Sequence, residues 1–93
     1  MIRSFADREA EALFQGRFAR RLASHIQRKA QRKLRQLQAA QELSDLAAPP
    51  GNRLEVLHGD RAGQHSIRIN DQWRLCFVWR DSGAERVEIV DYH

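Results

Sequence analysis

Towards its end the chain gathers side chains able to move protons and hold negative charge: Arg68 and Arg74 in HSIRINDQWRLCF, then Asp91, Tyr92 and His93 in succession. Upstream, LHGDRAG adds His58 and Asp60. An imidazole, a carboxylate, a phenol and several guanidinium groups, without the spacing of a metal cage, make up the set needed for acid–base cleavage of RNA. In that reaction a base takes the 2′-hydroxyl proton and the freed oxygen attacks phosphorus. Cations stabilise the crowded oxyanion, and an acid protonates the departing 5′ oxygen. Each residue also has a plainer reading. His58-x-Asp60 suits a turn held by an Asx-type bond, a closing Asp-Tyr-His suits a frayed end, and His65 suits a half-buried strand position. There is no Gly-rich phosphate loop, nucleophile elbow, cysteine pair or His-Glu-x-x-His, so the reaction classes that need them have no support.

The elements that must position these residues are legible from alternation. Gln64 to His93 reads as three strands joined by two tight turns, because apolar residues recur with period two on both sides of Asn70-Asp71-Gln72. A three-residue loop there sets Ile69 opposite Trp73, Ile67 opposite Leu75 and His65 opposite Phe77, giving one apolar face. A slip by one residue would put Ile67 opposite Arg74 and break that face. In this register Arg68 and Arg74 are cross-strand neighbours on the other face, beside Ser66 and Cys76, and two adjacent guanidinium groups invite an anion such as phosphate. At the second turn, Asp81-Ser82-Gly83, matching Phe77 with Ile89 and Trp79 with Val87 puts Tyr92 on the Arg74 face. The adjacent register would put Asp91 and His93 there.

Before these strands the chain is mostly helical. Met1 to Phe5 is expected as an extended edge segment with Arg3 facing water. Asp7 is placed to cap a short helix with Ala10, Leu13 and Phe14 on one stripe, ended by Gly16. Ser24 with Gln27 has the spacing of a capping box opening a longer helix to about Ala40. There Leu22, Ile26, Ala30, Leu34 and Leu37 form the buried face, and Arg28, Lys29, Arg32, Lys33 and Arg35 are assigned to the exposed surface. Such a basic face serves solubility, or a phosphate track or acidic partner. Ser44 is placed to cap one more turn, which Pro49-Pro50-Gly51 stops, and Arg53 to Leu57 alternates as a strand. The order predicts an α+β fold: a helical layer on one face of a mainly antiparallel sheet.

Ninety-three residues, 42% hydrophobic and 30% charged, suffice for one domain over residues 1–93 but not for two cores. A net charge of +4 favours an anionic partner. The lone Cys76 has no disulfide partner and reads as a small buried strand residue. The opening MIRSFADREAEALF carries charge throughout, so neither a signal peptide nor a membrane span is expected, and a reducing cytoplasm fits.

Nearly end to end, the chain resembles the HigB-type toxins of bacterial toxin–antitoxin modules, within the RelE/ParE superfamily. The segments that carry the resemblance are MIRSF, RKLRQLQAA, PPGNRLEVLHGDRAGQHSIRINDQWRLCF and the closing VDYH. It implies a RelE-like microbial-ribonuclease fold and a ribosome-dependent messenger-RNA endonuclease, with no cofactor and no metal site. Its partners would be the ribosome with its message and a separately encoded antitoxin bearing a helix-turn-helix domain. Carried over by position, Arg74 matches the phosphate-stabilising arginine, and Asp91, Tyr92 and His93 match the terminal catalytic motif. Arg61 and Arg68, with the basic helix residues Arg28, Lys29, Arg32, Lys33 and Arg35, would contact RNA. Two positions depart from the pattern, since Glu55 and His58 stand where many members carry a His and a Lys. Either Glu55 serves as the base, or His58 takes over, or this member is less active. A gyrase poison on the same fold and a non-catalytic nucleic-acid-binding module are the alternatives, because fold alone does not decide function.

Overall fold

A computed structural model describes residues 1–92. Helix α1 (Arg8–Phe14) starts where expected: the Asp7 carboxylate accepts the Glu9 N–H at 2.9 Å, and Glu9 and Glu11 favour the positive end of the helix dipole. Gly16 then turns the chain with φ 89°, a conformation costly for residues with a Cβ.

Helix α2 (Ser24–Ala39) is amphipathic as expected, burying Ile26, Ala30, Leu34 and Leu37, but the Ser24–Gln27 capping box does not form. Its N-cap is Ala23, with no side-chain cap. Gln27 instead grips the inter-helix loop, accepting the Ala19 N–H at 2.9 Å and donating to the carbonyls of Ala19 (2.6 Å) and Leu22 (2.7 Å). The turn after α2, a 3₁₀ stretch over Leu43–Leu46, is capped by Glu42 and Asp45 rather than Ser44. Backbone N–H groups of Glu42 and Gln41 hold the exposed Asp45 carboxyl below its usual range.

Four strands follow, β1 (Glu55–Val56), β2 (His65–Arg68), β3 (Trp73–Arg80) and β4 (Gly83–Asp91), in one antiparallel sheet ordered β1-β2-β3-β4. Strand β1 has two residues rather than the five expected from Arg53 to Leu57. Arg53 is left-handed (φ 46°) and the preceding Asn52 turns fully inward. The β2–β3 register is the expected one, His65↔Phe77, Ile67↔Leu75 and Arg68↔Arg74. Asn70 Oδ1 fixes the turn by accepting the N–H groups of Gln72 (2.9 Å) and Trp73 (2.7 Å).

The β3–β4 register differs from the expected one: Leu75 pairs with Ile89, a shift of two residues at the Arg74 end, and Trp79 with Ala84, a shift of three at the turn end. The turn uses only Asp81 and Ser82, both left-handed (φ 51° and 61°), the geometry of the tightest hairpins. A bulge then sets Arg86 (φ 53°) and Val87 against Phe77. A shift of two preserves the faces, so Ile89 remains in the core and Tyr92 on the side of Arg74. The N-terminal segment makes two isolated parallel bridges to β4, Ile2↔Ala84 and Phe5↔Val87, in place of a continuous edge strand. At the bulge between them the Arg86 N–H turns to Ser4 Oγ at 2.8 Å.

One contiguous core joins the helices to the inner face of the sheet, where Ile67, Leu75 and Phe77 are fully buried among Leu34, Leu37, Val87 and Ile89. The outer face carries a polar row Glu55–Ser66–Cys76–Glu88 beside a second row Arg68–Arg74–Val90. Among the described residues no helix is long and apolar enough to cross a membrane.

Candidate active site

Arg74 is the centre of the outer face. Strand alternation forces its side chain away from the core, yet it is only 7% exposed because neighbouring groups enclose it. Nε donates to Ser66 Oγ at 2.8 Å, Nη2 to the Arg53 carbonyl at 2.7 Å, and Nη1 pairs with Glu55 Oε1 at 3.2 Å. The Tyr92 ring lies against the guanidinium, 5.8 Å from Cζ to the ring centroid, a cation–π distance. Burying a guanidinium is tolerable only when its charge and most of its donors find partners, and these contacts supply them. Glu55 is half-exposed, so the ion pair has one buried and one wet partner.

Tyr92 is held by its own N–H, which donates to the Gln72 carbonyl at 2.5 Å. Its hydroxyl reaches the Cys76 thiol, and burial with that neighbour pushes the phenol above its ordinary range. Cys76 is fully buried under this layer, as expected, and burial pushes its thiol up. Beside them Arg61 pairs with Glu88 at 2.6 Å and donates to Gln64 Oε1 at 3.1 Å. The Glu88 bond strengthens Arg61's hold on its proton. The face thus combines two paired cations, two carboxylates with open sides and a protonated phenol, an arrangement able to accept a proton and to stabilise an oxyanion. Among the described residues no group of three or more His, Cys, Asp or Glu side chains is placed to hold a metal ion.

The family model for the RelE-like toxin HigB of type II toxin–antitoxin systems matches residues 3–93. Over 85 residues, 90% of each chain, the sequence is 45% identical to Toxin HigB-1 of Vibrio cholerae serotype O1. The chain belongs to the HigB family of RelE-like toxins. An uncharacterized protein of Haemophilus influenzae is 32% identical over 67% of this chain and 61% of its own. As a type II toxin, this HigB-family chain has a cognate antitoxin.

Of the site residues expected in this HigB-family toxin, the fold brings together Glu55, Arg74 and Tyr92, with Arg61 adjoining. Asp91 pairs across the ladder with Trp73 and accepts a hydrogen bond from Gln72 Nε2 at 3.2 Å, so its Cα sits in a core-facing row rather than among the residues around Arg74. His93 lies outside the described residues. His58 is exposed, at the start of the 3₁₀ turn Gly59–Arg61, and its side chain forms no capping bond there. Arg68 pairs with its own carboxylate, Asp71, as Arg74 does with Glu55.

Arg28, Lys29, Arg32 and Arg35 are exposed on α2, and three of them line a shallow groove of about 160 Å³ with Gln31. Lys33 does not belong to that surface. It is 8% exposed and donates to Asn52 Oδ1, because its position in the helical repeat falls on the core side. Burial, followed by the charges of Lys29, Arg32 and Arg68, lowers its pKa. Sequence reasoning missed Glu88 and Asn52. Under the expected register Glu88 would have faced Val78, and the observed shift moves it opposite Cys76.

Proposed function

We propose that this HigB-family toxin is a ribosome-dependent messenger-RNA endonuclease of the cytoplasm that inhibits translation by metal-independent acid–base cleavage on its outer sheet face. The observation that carries this reading is a buried guanidinium, Arg74, poised between a half-exposed carboxylate, Glu55, and an aromatic ring, Tyr92. Glu55 takes the proton from the 2′-hydroxyl as that oxygen attacks phosphorus. Negative charge leaves the carboxylate and accumulates on the phosphorane while Arg74, 3.2 Å from Glu55, stays in place and transfers its pairing to the new oxyanion. The site's interaction therefore strengthens in the transition state rather than in the ground state. The phosphorus–O5′ bond breaks, and His93, by resemblance to the family's terminal motif, donates the proton to the leaving oxygen. The products are a 2′,3′-cyclic phosphate and a 5′-hydroxyl.

The exposed Arg28, Lys29, Arg32 and Arg35 supply a second positive surface, suited to ribosomal RNA by phosphate pairing. The antitoxin, with a helix-turn-helix domain, neutralises the toxin. The test is expression without antitoxin: growth arrests and message is cut on translating ribosomes but scarcely when free. Arg74→Lys, which keeps a cation for Glu55 but not the planar fork, abolishes the cutting in a folded protein. Equal cutting of free and ribosome-bound message removes the ribosome dependence. Gyrase-mediated DNA breaks with message intact replace the reading by a gyrase poison.

A further inference from the structure

The two polar partners that hold Arg74 from outside β2 and β3, the Arg53 carbonyl and the Glu55 carboxylate, sit on a stretch that the sheet itself barely secures. Only Glu55 and Val56 join the ladder there, and Arg53, Glu55 and Val56 are exposed. At the far end the stretch is held by buried Leu57, whose N–H donates to the Gln64 carbonyl at 2.9 Å. At the near end everything depends on Asn52, which is fully buried. Its side chain accepts from Lys33 Nζ and donates to the Leu46 carbonyl at 3.0 Å and to Gln36 Oε1 at 3.2 Å, and its carbonyl accepts the Arg68 N–H at 2.6 Å. Lys33 is a costly way to hold an amide, since it is a buried cation with no carboxylate partner among the described residues and with its pKa lowered by that burial. A methionine would fill the same space against Leu34 and Leu37 without that desolvation.

We propose that Lys33 and Asn52 are positioning residues for Arg74. Their buried bond fixes the left-handed turn at Arg53 so that its carbonyl meets Arg74 Nη2 and Glu55 meets Nη1. The basic helix thereby reaches the outer face through its one inward cation, Lys33.

The experiment compares Lys33→Met and the double variant Lys33→Met/Asn52→Leu with the natural protein. Replacing both polar partners by apolar ones leaves neither half of the pair orphaned, while the Leu46 carbonyl and Gln36 Oε1 lose their Asn52 donor, so the double variant melts cooperatively at a lower temperature and is assayed well below it. Two measurements are made. The first is the NMR signal of the Arg74 Nε–H, with Arg61 as an internal control. This measurement requires no activity. The second is the single-turnover rate at saturating ribosome, which rests on the nuclease reading above. The expected result is a shifted and broadened Arg74 signal, an unmoved Arg61 signal, and a maximal rate about tenfold lower with ribosome affinity unchanged, since small misplacements of a charge-stabilising group act on the chemical step. A residue that only stabilised the fold would not slow a variant assayed at a temperature where it is fully folded. A folded double variant with its Arg74 signal in place overturns the inference. A displaced Arg74 signal in a protein that cuts no message in any form upholds the inference and overturns the nuclease reading.

Discussion

Replacing Glu55 by glutamine separates two effects that act on the same atom pair in opposite directions. Glu55 Oε1 lies 3.2 Å from Arg74 Nη1, with the arginine side chain 8% and the glutamate side chain 54% exposed. At the effective dielectric of a protein surface, unit charges at that distance attract by at most about 5 kcal/mol, whereas fully exposed pairs are worth roughly 0.2–1 kcal/mol. With one partner buried and one wet, about 1–2 kcal/mol is the fitting range for this pair. A substrate phosphate competes with Glu55 for the guanidinium, so removing the carboxylate charge tightens substrate binding by up to about 5- to 30-fold at low salt. If Glu55 is also the base, its loss lowers the maximal single-turnover rate by about 10²- to 10⁴-fold. The signature is a lower half-saturating concentration together with a much lower maximal rate, read by quench-flow with ribosome-bound message over a range of toxin concentrations. A maximal rate within a few-fold of the natural protein would refute Glu55 as the base and leave His58 as the candidate.

The chain has a single tyrosine, so tyrosinate absorbance reports Tyr92 alone; it should rise only above the ordinary range near about pH 10, and an ionisation at or below that value contradicts its enclosure by Cys76 and Arg74. Lys33, with its folded pKa lowered below 10.5, binds fewer protons folded than unfolded between the two values. Stability that its charge withholds at neutral pH is therefore recovered as pH rises through that window. Melting curves should accordingly show any advantage of Lys33→Met over the natural protein shrinking between neutral and strongly alkaline pH, and a growing advantage would be the wrong sign. Exchanging His58 for Lys puts a side chain there that stays cationic across the neutral range. If His58 contacts phosphate, His58→Lys retains more cleavage above neutrality and converges with the natural protein in mild acid, while parallel profiles show that it carries no such contact.

The β2–β3 hairpin was legible because two independent constraints agree: alternation needs Ile67 opposite Leu75, and Asn70 supplies a side chain that closes a three-residue turn. The β3–β4 pairing was legible only to the level of faces. Its offset depends on left-handed backbone at Asp81, Ser82 and Arg86; Asp favours that conformation, but no side-chain signal marks it at Ser82 or Arg86. The burial of Lys33 had a signal of its own. Ile26, Ala30, Lys33 and Leu37 are spaced by four, three and four, the repeat of a buried stripe, and the lysine's charge masked its place in it. Asn52 had none, since PPGN reads as an exposed turn while the fold drives the amide between α2 and Leu46.

Under the proposed nuclease reading, Arg74 also bears on why the site would need a ribosome. A guanidinium has five N–H donors. Here Nε is bound to Ser66 Oγ, one Nη2 donor to the Arg53 carbonyl and one Nη1 donor to Glu55, and the remaining Nη2 hydrogen lies towards the Ser66 carbonyl at 3.5 Å. One Nη1 hydrogen is left for an incoming phosphate, and a bidentate grip requires Glu55 to swing away. That exchange gives up the existing ion pair, so phosphate alone gains little by entering. A message held by the ribosome arrives with its position already fixed and need not draw that positioning energy from Arg74. On the proposed reading, ribosome dependence thus has a source in the site as well as in the docking surface: the toxin's main cation is already neutralised by its own carboxylate until a positioned 2′-hydroxyl gives Glu55 a proton to take.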